Sequence, residues 1–278
     1  MGESTPTETK HGTPTYRSGS LESGLIKVGY KVIRGLYTSA LGMMAAQTQS
    51  EVIGDNVANL KTPGYKEQLV SNISFPSLLI QRMGGNQASE TVQIGGLGTG
   101  VGVDRAALSN VQGALQTTDV KTDLALTSPG YFVVQTPGGE RYTRNGHFQL
   151  DANGMLQSPD GYALQGEKGL IGPLSSDFSV SADGTVMDKG QSVDRLRVVE
   201  IPADALKREG QSLYSASQPV QVSTGAQVLQ GSIEASNVDL SGQMIQMMTV
   251  MKAYEANQRV IQTQDEMLGK AVNEVGKI

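Results

Sequence analysis

The chain of 278 residues contains no cysteine and no tryptophan, and only four phenylalanines and two histidines. Without cysteine it can form no disulfide, no thiolate metal site and no cysteine nucleophile. With so few aromatic residues, we expect a thin core built from aliphatic side chains. The length is sufficient for one large domain or two smaller ones.

Long apolar runs and basic clusters are missing as well. No stretch approaches the ~20 apolar residues of a membrane span, and residues 1–31 lack the apolar centre of a secretory signal peptide. The net charge is −5 and no block of Lys and Arg stands out, so nothing indicates nucleic acid or an anionic membrane as a partner. If the protein leaves the cytoplasm, it uses a route that does not cleave such a signal.

The N-terminal part divides into a polar segment and a helix. Residues 1–31 are rich in Gly, Ser and Thr without periodicity, so we expect a disordered leader or an over-extended start. Residues 32–65 form the next segment, with a predicted helix over residues 33–59, which ends because Pro63 excludes the helical conformation at Thr62. Steps of three and four define a weak apolar stripe on this helix: Ile33, Leu36, Ala40, Met43, Gln47, Ser50, Gly54 and Val57.

The middle of the chain has the pattern of a β domain. Frequent Asn-Gly and Asp-Gly pairs, such as Asn145-Gly146 and Asp183-Gly184, supply the positive φ angles of tight hairpin turns. We predict an α+β fold, with a helix at each end and a mainly antiparallel β domain inserted between them. The predicted segments are a connecting region at 66–122, the central β domain at 123–215 and a return segment at 216–237.

The C-terminal segment, residues 238–278, predicts a second and longer helix over 238–275. Ser236-Asn237 or Asp239 could cap its start. Its apolar stripe is stronger than that of the first helix, since eight of ten positions are apolar: Met244, Met247, Met251, Tyr254, Gln258, Ile261, Asp265, Leu268, Val272 and Val275.

We expect the two helices to pair as a coiled-coil-like stalk. Each helix also carries apolar residues outside its stripe, including Met44 and Ile53 in the first and Met248 and Met267 in the second. A two-helix pair would leave these exposed, which predicts that copies assemble around one another and that the ends become fully ordered on polymerisation. The alternative is an intramolecular helical hairpin packed on the β domain.

Three separate parts of the sequence resemble the flagellar rod and hook axial protein family. The N-terminal part contains Gly35–Met43 (GLYTSALGM) and Asn56–Lys66 (NVANLKTPGYK). Further motifs follow in the family's order: Asp123–Val134 (DLALTSPGYFVV), Tyr142–Phe148 (YTRNGHF), Gly161–Gly166 (GYALQG), Gly231–Leu240 (GSIEASNVDL), Ala253–Asn257 (AYEAN) and Val260–Met267 (VIQTQDEM).

The resemblance implies a structural subunit that is exported by the flagellar type III apparatus without a cleaved signal and transmits torque as part of a helical tube. Its partners would be copies of itself, other axial proteins and the export apparatus, and it would bind no cofactor. Among the longer rod proteins, the region from Arg195 to Gly231 and the C-terminus are more similar to the one at the proximal–distal boundary than to the distal rod protein. The implied assembly contacts are Leu36, Met43, Asn56, Asn59, Met244, Met247, Met251, Tyr254, Ile261 and Leu268.

The sequence offers little that indicates an enzyme. His147 lies beside an Asn-Gly turn and is interpreted as structural, and no set of zinc ligands has a useful spacing. The glycine-rich segment Gly95–Gly102 lacks the spacing of a nucleotide-binding loop. Two rival hypotheses stay open at this point: a monomeric, secreted β-rich binding or adhesion module with a helical stalk, and a hydrolase using carboxylates without a recognisable motif.

Overall fold

The computed structural model describes residues 21–74, 78–82, 92–98, 100–104, 107–210, 212–223 and 225–275. Of the predicted disordered segment, residues 1–20 lie outside the described residues. Residues 21–31 are helical, so the prediction of disorder is wrong there. The segment LESGLIKVGYK contains Leu, Glu and Lys, which favour helix, and no proline to stop one.

Two long helices mark the ends of the described chain, α1 (Leu21–Ala58) and α2 (Leu240–Val275). Beyond α1 the chain turns at Gly64, which has a φ of +67°. Asp239 caps α2, since its carboxylate accepts hydrogen bonds from the backbone N–H groups of Ser241 and Gly242, both at 3.1 Å. Over the described residues, neither helix has a stretch both long and apolar enough to cross a membrane.

The two helices pair as an antiparallel hairpin, as predicted. A Cβ atom placed on Gly35 would lie 2.1 Å from Gln264 Nε2, and one on Gly42 would lie 2.8 Å from Asn257 Nδ2. Nearer the β domain, Asn56 Nδ2 donates to Gln243 Oε1 at 3.2 Å. The contact positions recur at multiples of seven residues, rising along α1 and falling along α2. This is the repeat of a coiled coil.

Between the helices, the described residues form short strands that pair antiparallel in every sheet. Their bounds are β1 Gln68–Leu69, β2 Asn72–Ser74, β3 Leu78–Arg82, β4 Val92–Leu97, β5 Val101–Val103, β6 Ala107–Leu108, β7 Leu115–Thr117, β8 Leu124–Leu126, β9 Tyr131–Thr136, β10 Gly139–Thr143, β11 Gln149–Leu150, β12 Leu156–Gln157, β13 Ala163–Leu164, β14 Ser179–Val180, β15 Thr185–Asp188, β16 Gln191–Arg195, β17 Val198–Glu200, β18 Leu206–Glu209, β19 Leu213–Ala216, β20 Gln221–Val222, β21 Val228–Gln230 and β22 Ser232–Glu234, with a 3₁₀ turn at Ala203–Ala205.

The largest sheet in the described part of the chain is built around β9. Its strands run in the order β11-β12-β13-β9-β10-β19-β18, and β17 pairs with both β9 and β20. Strand β9 alternates its side chains between two cores, because Phe132 and Val134 belong to one hydrophobic cluster and Tyr131 and Val133 to the other. Three of the four phenylalanines lie in the first cluster. Although most of the core is aliphatic, these aromatic rings are therefore among its fully buried side chains.

The β domain extends past residue 215, where the sequence had placed its end. Strand β20 joins the main sheet, β21 pairs with β8, and Ala226 and Val228 are buried in the first core cluster. Strand β22 then pairs with β7. The segment predicted as a simple return is thus part of the β structure, and it brings the start of α2 beside the end of α1.

A polar junction and an exposed helical surface

A buried polar junction joins the helical hairpin to the β domain. It draws residues from α1 and the chain after it, from the turn after β10, from β22 and from the start of α2. Its members are Asn56, Tyr65, Lys66, Arg144, Glu234, Asn237 and Gln243.

Glu234 is the centre of this junction. Its Oε1 atom lies 2.6 Å from Lys66 Nζ and accepts a hydrogen bond from the Gly113 backbone N–H at 2.9 Å, and its Oε2 atom lies 2.6 Å from Arg144 Nε. The three ionic side chains are at most 4% exposed. Burial lowers the pKa of Lys66, and the Glu234 carboxylate opposes that effect. Each of these buried charges is stabilised by its ionic partner, because solvent cannot reach it to take that partner's place.

The two cations also hold backbone segments in place. Arg144 donates to the carbonyl oxygens of Leu126 at 3.2 Å, Ser128 at 2.9 Å and Gly130. Lys66 Nζ donates to the carbonyl oxygen of Val111 at 2.9 Å. Both side chains therefore connect backbone segments that lie far apart in the chain.

Asn56 closes the turn that follows α1. The residue is 1% exposed. Its Oδ1 atom accepts hydrogen bonds from Tyr65 Oη at 3.1 Å and from the Gln68 backbone N–H at 3.0 Å, and its Nδ2 atom donates to the Gln68 carbonyl oxygen at 2.9 Å. Asn59 caps the helix end, with its Nδ2 atom donating to the Asp55 carbonyl oxygen at 2.8 Å.

A hairpin of the β domain also contacts this turn. Arg208, on β18, donates from Nη1 to Tyr65 Oη at 3.1 Å, and its guanidinium group lies 4.9 Å from the centre of the Tyr65 ring. Burial is the main cause of the raised pKa of Tyr65. The β18–β19 hairpin is thereby fixed to the base of the helical hairpin.

The start of α2 is tied to the chain after α1. Asn237 Oδ1 accepts a hydrogen bond from the Glu67 backbone N–H at 2.7 Å, and Asn237 Nδ2 donates to the Val111 carbonyl oxygen at 2.9 Å. Gln243 Nε2 donates to Glu67 Oε1 at 2.8 Å, while burial raises the pKa of Glu67. Asn237 is therefore a brace between segments, and Asp239 is the helix cap.

The inner face of the hairpin differs from the predicted apolar stripe. On α1 the prediction is wrong for Gln47 and Val57, which are exposed, whereas Ala46 and Ile53 are buried. The true contact face of α1 includes Gly35 and Gly42, which the apolar count could not detect. The pairing thus combines small residues and amides with apolar side chains such as Ile53, while several other apolar side chains lie on the outside.

The predicted assembly residues lie in three different settings. Asn56 and Asn59 are buried at the junction. Leu36, Met43, Met247, Ile261 and Leu268 are partly buried along the hairpin. Met244, Met251 and Tyr254 are 58%, 57% and 37% exposed. The structure therefore does not bring these residues together as one surface.

The outer surface of the helices is rich in apolar side chains. On α1 they include Tyr37 and Met44. On α2 the large exposed apolar residues are Leu240, Met244, Ile245, Met248, Met251, Tyr254, Val260, Met267 and Val272. This many large apolar side chains exposed on one helix exceeds the scattered apolar residues of an ordinary surface.

The sequence reasoning missed the charged members of the junction. Lys66, Arg144 and Glu234 each lie inside one of the three resembling segments, where the surrounding motifs are largely uncharged. Charge alone could not single them out, because Lys61, Asp123 and Asp239 lie in the same motifs. Arg208 had no signal either, because it lies outside the motifs.

Clusters with obvious chemistry were not found in the described ranges. There, no group of three or more His, Asp or Glu side chains lies close enough to hold a metal ion. His147 Nδ1 lies 2.7 Å from Asp123 Oδ1, and Asp123 Oδ2 accepts a hydrogen bond from Thr118 Oγ1 at 2.6 Å. This contact fastens the Asn-Gly turn to the edge of the β domain, in agreement with a structural role.

A helical hairpin that brings two distant parts of the chain together, with a β domain inserted between them and apolar residues on its outer face, is typical of a subunit of a larger assembly. Three family models match: "Flagella basal body rod protein" over residues 36–66, "Flagellar hook protein FlgE/F/G D1 domain" over 125–188 and "Flagellar basal body rod FlgEFG protein C-terminal" over 229–274. The chain belongs to the flagellar basal-body rod protein family, as its relatives also establish.

Three relatives illustrate this membership. The flagellar basal-body rod protein FlgG of Buchnera aphidicola subsp. Schizaphis graminum is 34% identical over 260 residues, covering 86% of this chain and 98% of the relative. FlgG of Bacillus subtilis is 32% identical, covering 87% and 99%. The flagellar hook-basal body complex protein FlhO of Bacillus subtilis is 32% identical, covering 89% and 100%. The assignment to the proximal–distal boundary of the rod stays a prediction.

Proposed function

We propose that this chain is a structural subunit of the bacterial flagellar rod that polymerises through its terminal helices into a helical tube and transmits torque. The observation that carries the proposal is the row of exposed apolar side chains on α2, which includes Met244, Met248 and Met251 at 57–58% exposure. Burying such side chains between copies would supply the main favourable free energy of association.

The inner face of the hairpin is consistent with this role. Gly42 packs under Asn257, and Asn56 bonds Gln243, so small and polar groups make several of the close contacts within one chain. Such contacts fix the register of the helices, while many apolar side chains of the hairpin stay partly or largely exposed. The hairpin would gain most of its stability from neighbouring subunits.

The β domain and the junction supply the rigid part of the subunit. The ion cluster of Lys66, Arg144 and Glu234 connects the helical hairpin to the β domain through side chains that cannot move independently. A subunit that transmits torque needs such a connection, because force applied to one part must reach the other. In this role the chain needs no catalytic activity and no cofactor.

The partners would be further copies of the chain, other axial proteins of the flagellum and the flagellar export apparatus. Export would proceed without a cleaved signal peptide, and the site of action would be the basal body. The rival hypothesis of a monomeric adhesion module has no support from the comparisons, since all the relatives named above are flagellar proteins.

The substitution Met251→Lys tests the role of the exposed row. A charged side chain there would have to be desolvated in any contact between copies, so we expect loss of rod assembly and motility while the isolated protein keeps its β domain. The matched control is Val111→Lys, which places the same charge at a side chain that is 67% exposed outside the helices. Wild-type motility of Met251→Lys in cells that lack the native gene would refute the assignment.

Hydrogen exchange on the purified monomer gives a second test. We expect weak protection in residues 33–60 and 240–275, because the monomer lacks the contacts with other subunits that would stabilise the helices. We expect strong protection in the central β domain. Strong protection throughout would favour a self-contained protein.

A further inference from the structure

The helical hairpin has two unlike flanks, each with a cavity, and the cavity of about 590 Å³ beside Met251 is lined partly by Glu51 and Glu255. On one flank a cavity of about 300 Å³ opens between α1, the chain around β1 and α2. We call it the groove. Its lining residues are Gln49, Val52, Ile53, Asn56, Gln68, Leu69, Val70, Gln243, Ile245, Gln246, Thr249 and Val250.

The other flank carries a row of methionines. Met244, Met248 and Met251 are spaced by four and three residues, which places them along one side of α2. They are 58%, 57% and 57% exposed. We call these three residues the methionine ridge.

The groove and the ridge lie on different sides of the same helix. The face of α2 that contacts α1 includes Gln243 and Asn257. With 100° between successive residues, Thr249 of the groove lies about 160° around the helix from Met251 of the ridge, while Ile245 and Met248 lie about 60° apart on the side away from α1. A chain therefore cannot place its own ridge in its own groove.

The two surfaces match in chemistry. None of the residues that line the groove is charged, and Leu69 and Ile245 at its rim are 48% and 61% exposed. Half of its lining residues are apolar and the other half carry amide or hydroxyl groups. Such an uncharged groove disfavours a charged occupant, because the charge would lose its hydration without gaining an ionic partner. Methionine side chains suit it well, since they are apolar, unbranched and able to fill irregular spaces.

We infer that the methionine ridge of one copy seats in the groove of the next copy. This inference rests on the proposed function, and it adds which surfaces meet. The contact is heterologous, because two different surfaces of the chain meet, and a contact of this kind generates an open helical filament when its rotation does not close a ring. A symmetric pairing of two ridges would instead end at a dimer.

The cysteine-free sequence allows a direct test, because an introduced cysteine is the only thiol in the chain. One variant carries Met248→Cys in the ridge and another carries Leu69→Cys at the groove. Both are expressed together in cells that lack the native gene, and isolated basal bodies are treated with a mild oxidant. We expect disulfide-linked dimers from the mixture, a ladder of multimers from the double variant and neither product from either single variant.

Two further variants make the outcome decisive. Val111→Cys replaces Leu69→Cys as a matched exposed control and should yield no dimer with Met248→Cys. Thr249→Cys is a second groove position that serves if Leu69→Cys fails to assemble. Dimers from Met248→Cys alone would overturn the inference in favour of ridge-to-ridge pairing.

The same experiment separates this inference from the proposed function. Motile cells whose basal bodies contain both variants but yield no mixed dimer from either groove position would overturn the ridge-to-groove contact and leave the rod function intact. Absence of the wild-type chain from isolated basal bodies would overturn the rod function itself, and with it this inference.

Discussion

Lys66 and Glu234 form a buried ion pair with 2.6 Å between Nζ and Oε1, although 168 residues separate them in the chain. Arg144 takes the other carboxylate oxygen at the same distance. The carboxylate thus connects the segment after α1, the β domain and the strand that leads to α2. A substitution of Glu234 should therefore destabilise all three parts.

Replacing the central carboxylate should be strongly destabilising. In Glu234→Gln, Lys66 and Arg144 would stay buried with no anion between them, and breaking a buried ion pair in this way costs about 3–5 kcal/mol. Urea denaturation, followed by far-ultraviolet circular dichroism, measures the change in the free energy of unfolding.

The ion pair between Arg141 and Glu209 provides the control. It has the same distance of 2.6 Å, but its side chains are 24% and 42% exposed. Because solvent screens this pair, Glu209→Gln should cost much less than Glu234→Gln. Equal effects of the two substitutions would show that burial at Glu234 does not matter.

Gly64 should not tolerate a side chain. Its φ is +67°, and an added Cβ would lie 2.3 Å from the carbonyl carbon and oxygen of Arg144 and 2.4 Å from the backbone nitrogen of Asn145. These are backbone atoms, so the whole turn must move in Gly64→Ala. Gly161 has a similar φ of +82° with nothing within 4 Å of an added Cβ. Gly161→Ala should cost about 1–2 kcal/mol, from the positive φ alone.

Thermal unfolding of the two glycine variants separates the cost of the positive φ angle, which both share, from the cost of the steric clash, which occurs only at Gly64. We expect a clearly larger fall in Tm for Gly64→Ala than for Gly161→Ala. The same fall in both would mean that the contact between the turn after α1 and the turn after β10 is not rigid.

The hydroxyl of Tyr65 should link the β18–β19 hairpin to the end of α1. Tyr65→Phe removes the hydrogen bond from Arg208 and the one to Asn56, and a bond to a charged group contributes about 1.5–3 kcal/mol. We expect faster hydrogen exchange in the β18–β19 hairpin. Tyr37→Phe is the matched control because Tyr37 is 59% exposed. Unchanged exchange in the Tyr65 variant would refute the link.

The sequence predicted the helices and the β domain because their signals are local. Apolar periodicity and Asn-Gly turns depend on neighbouring residues, so they can be read without knowing the fold. The pairing of the helices followed from their amphipathic pattern. The predicted α1 stripe was wrong at Gln47 and Val57, since it counted apolar residues, while the real contact uses Gly35 and Gly42 as places where an opposing amide fits.

The junction could not be predicted in the same way. Lys66, Arg144 and Glu234 lie far apart in the chain, and they form ion pairs only because strand pairing brings them together. The extent of the β domain beyond residue 215 was missed for the same reason, because β20 and β21 are short and gain their partners from distant strands. Non-local contacts of this kind leave little trace in local patterns.

The stability of the β domain should fall at alkaline pH. Burial raises the pKa of Tyr131 to about 12 from an ordinary value of 10.0, and burial also raises the pKa of Tyr214. Between about pH 10 and about pH 12 the unfolded chain loses the Tyr131 proton while the folded protein keeps it. The unfolded state then binds fewer protons, so the free energy of unfolding is unaffected below about pH 10 and falls as the pH rises toward 12, by up to about 3 kcal/mol for this one group.

Urea denaturation at about pH 9 and about pH 11.5 measures this loss, and tyrosinate absorbance follows the ionisation directly. Tyr131→Phe removes one of the responsible hydroxyls, so the difference in stability between the two pH values should shrink relative to the wild type. Tyr37→Phe, at an exposed position, should leave that difference unchanged. A Tyr131 variant with the full wild-type loss would mean that another group causes it, because a phenol that stays neutral in the folded protein must weaken folding once the unfolded chain can ionise.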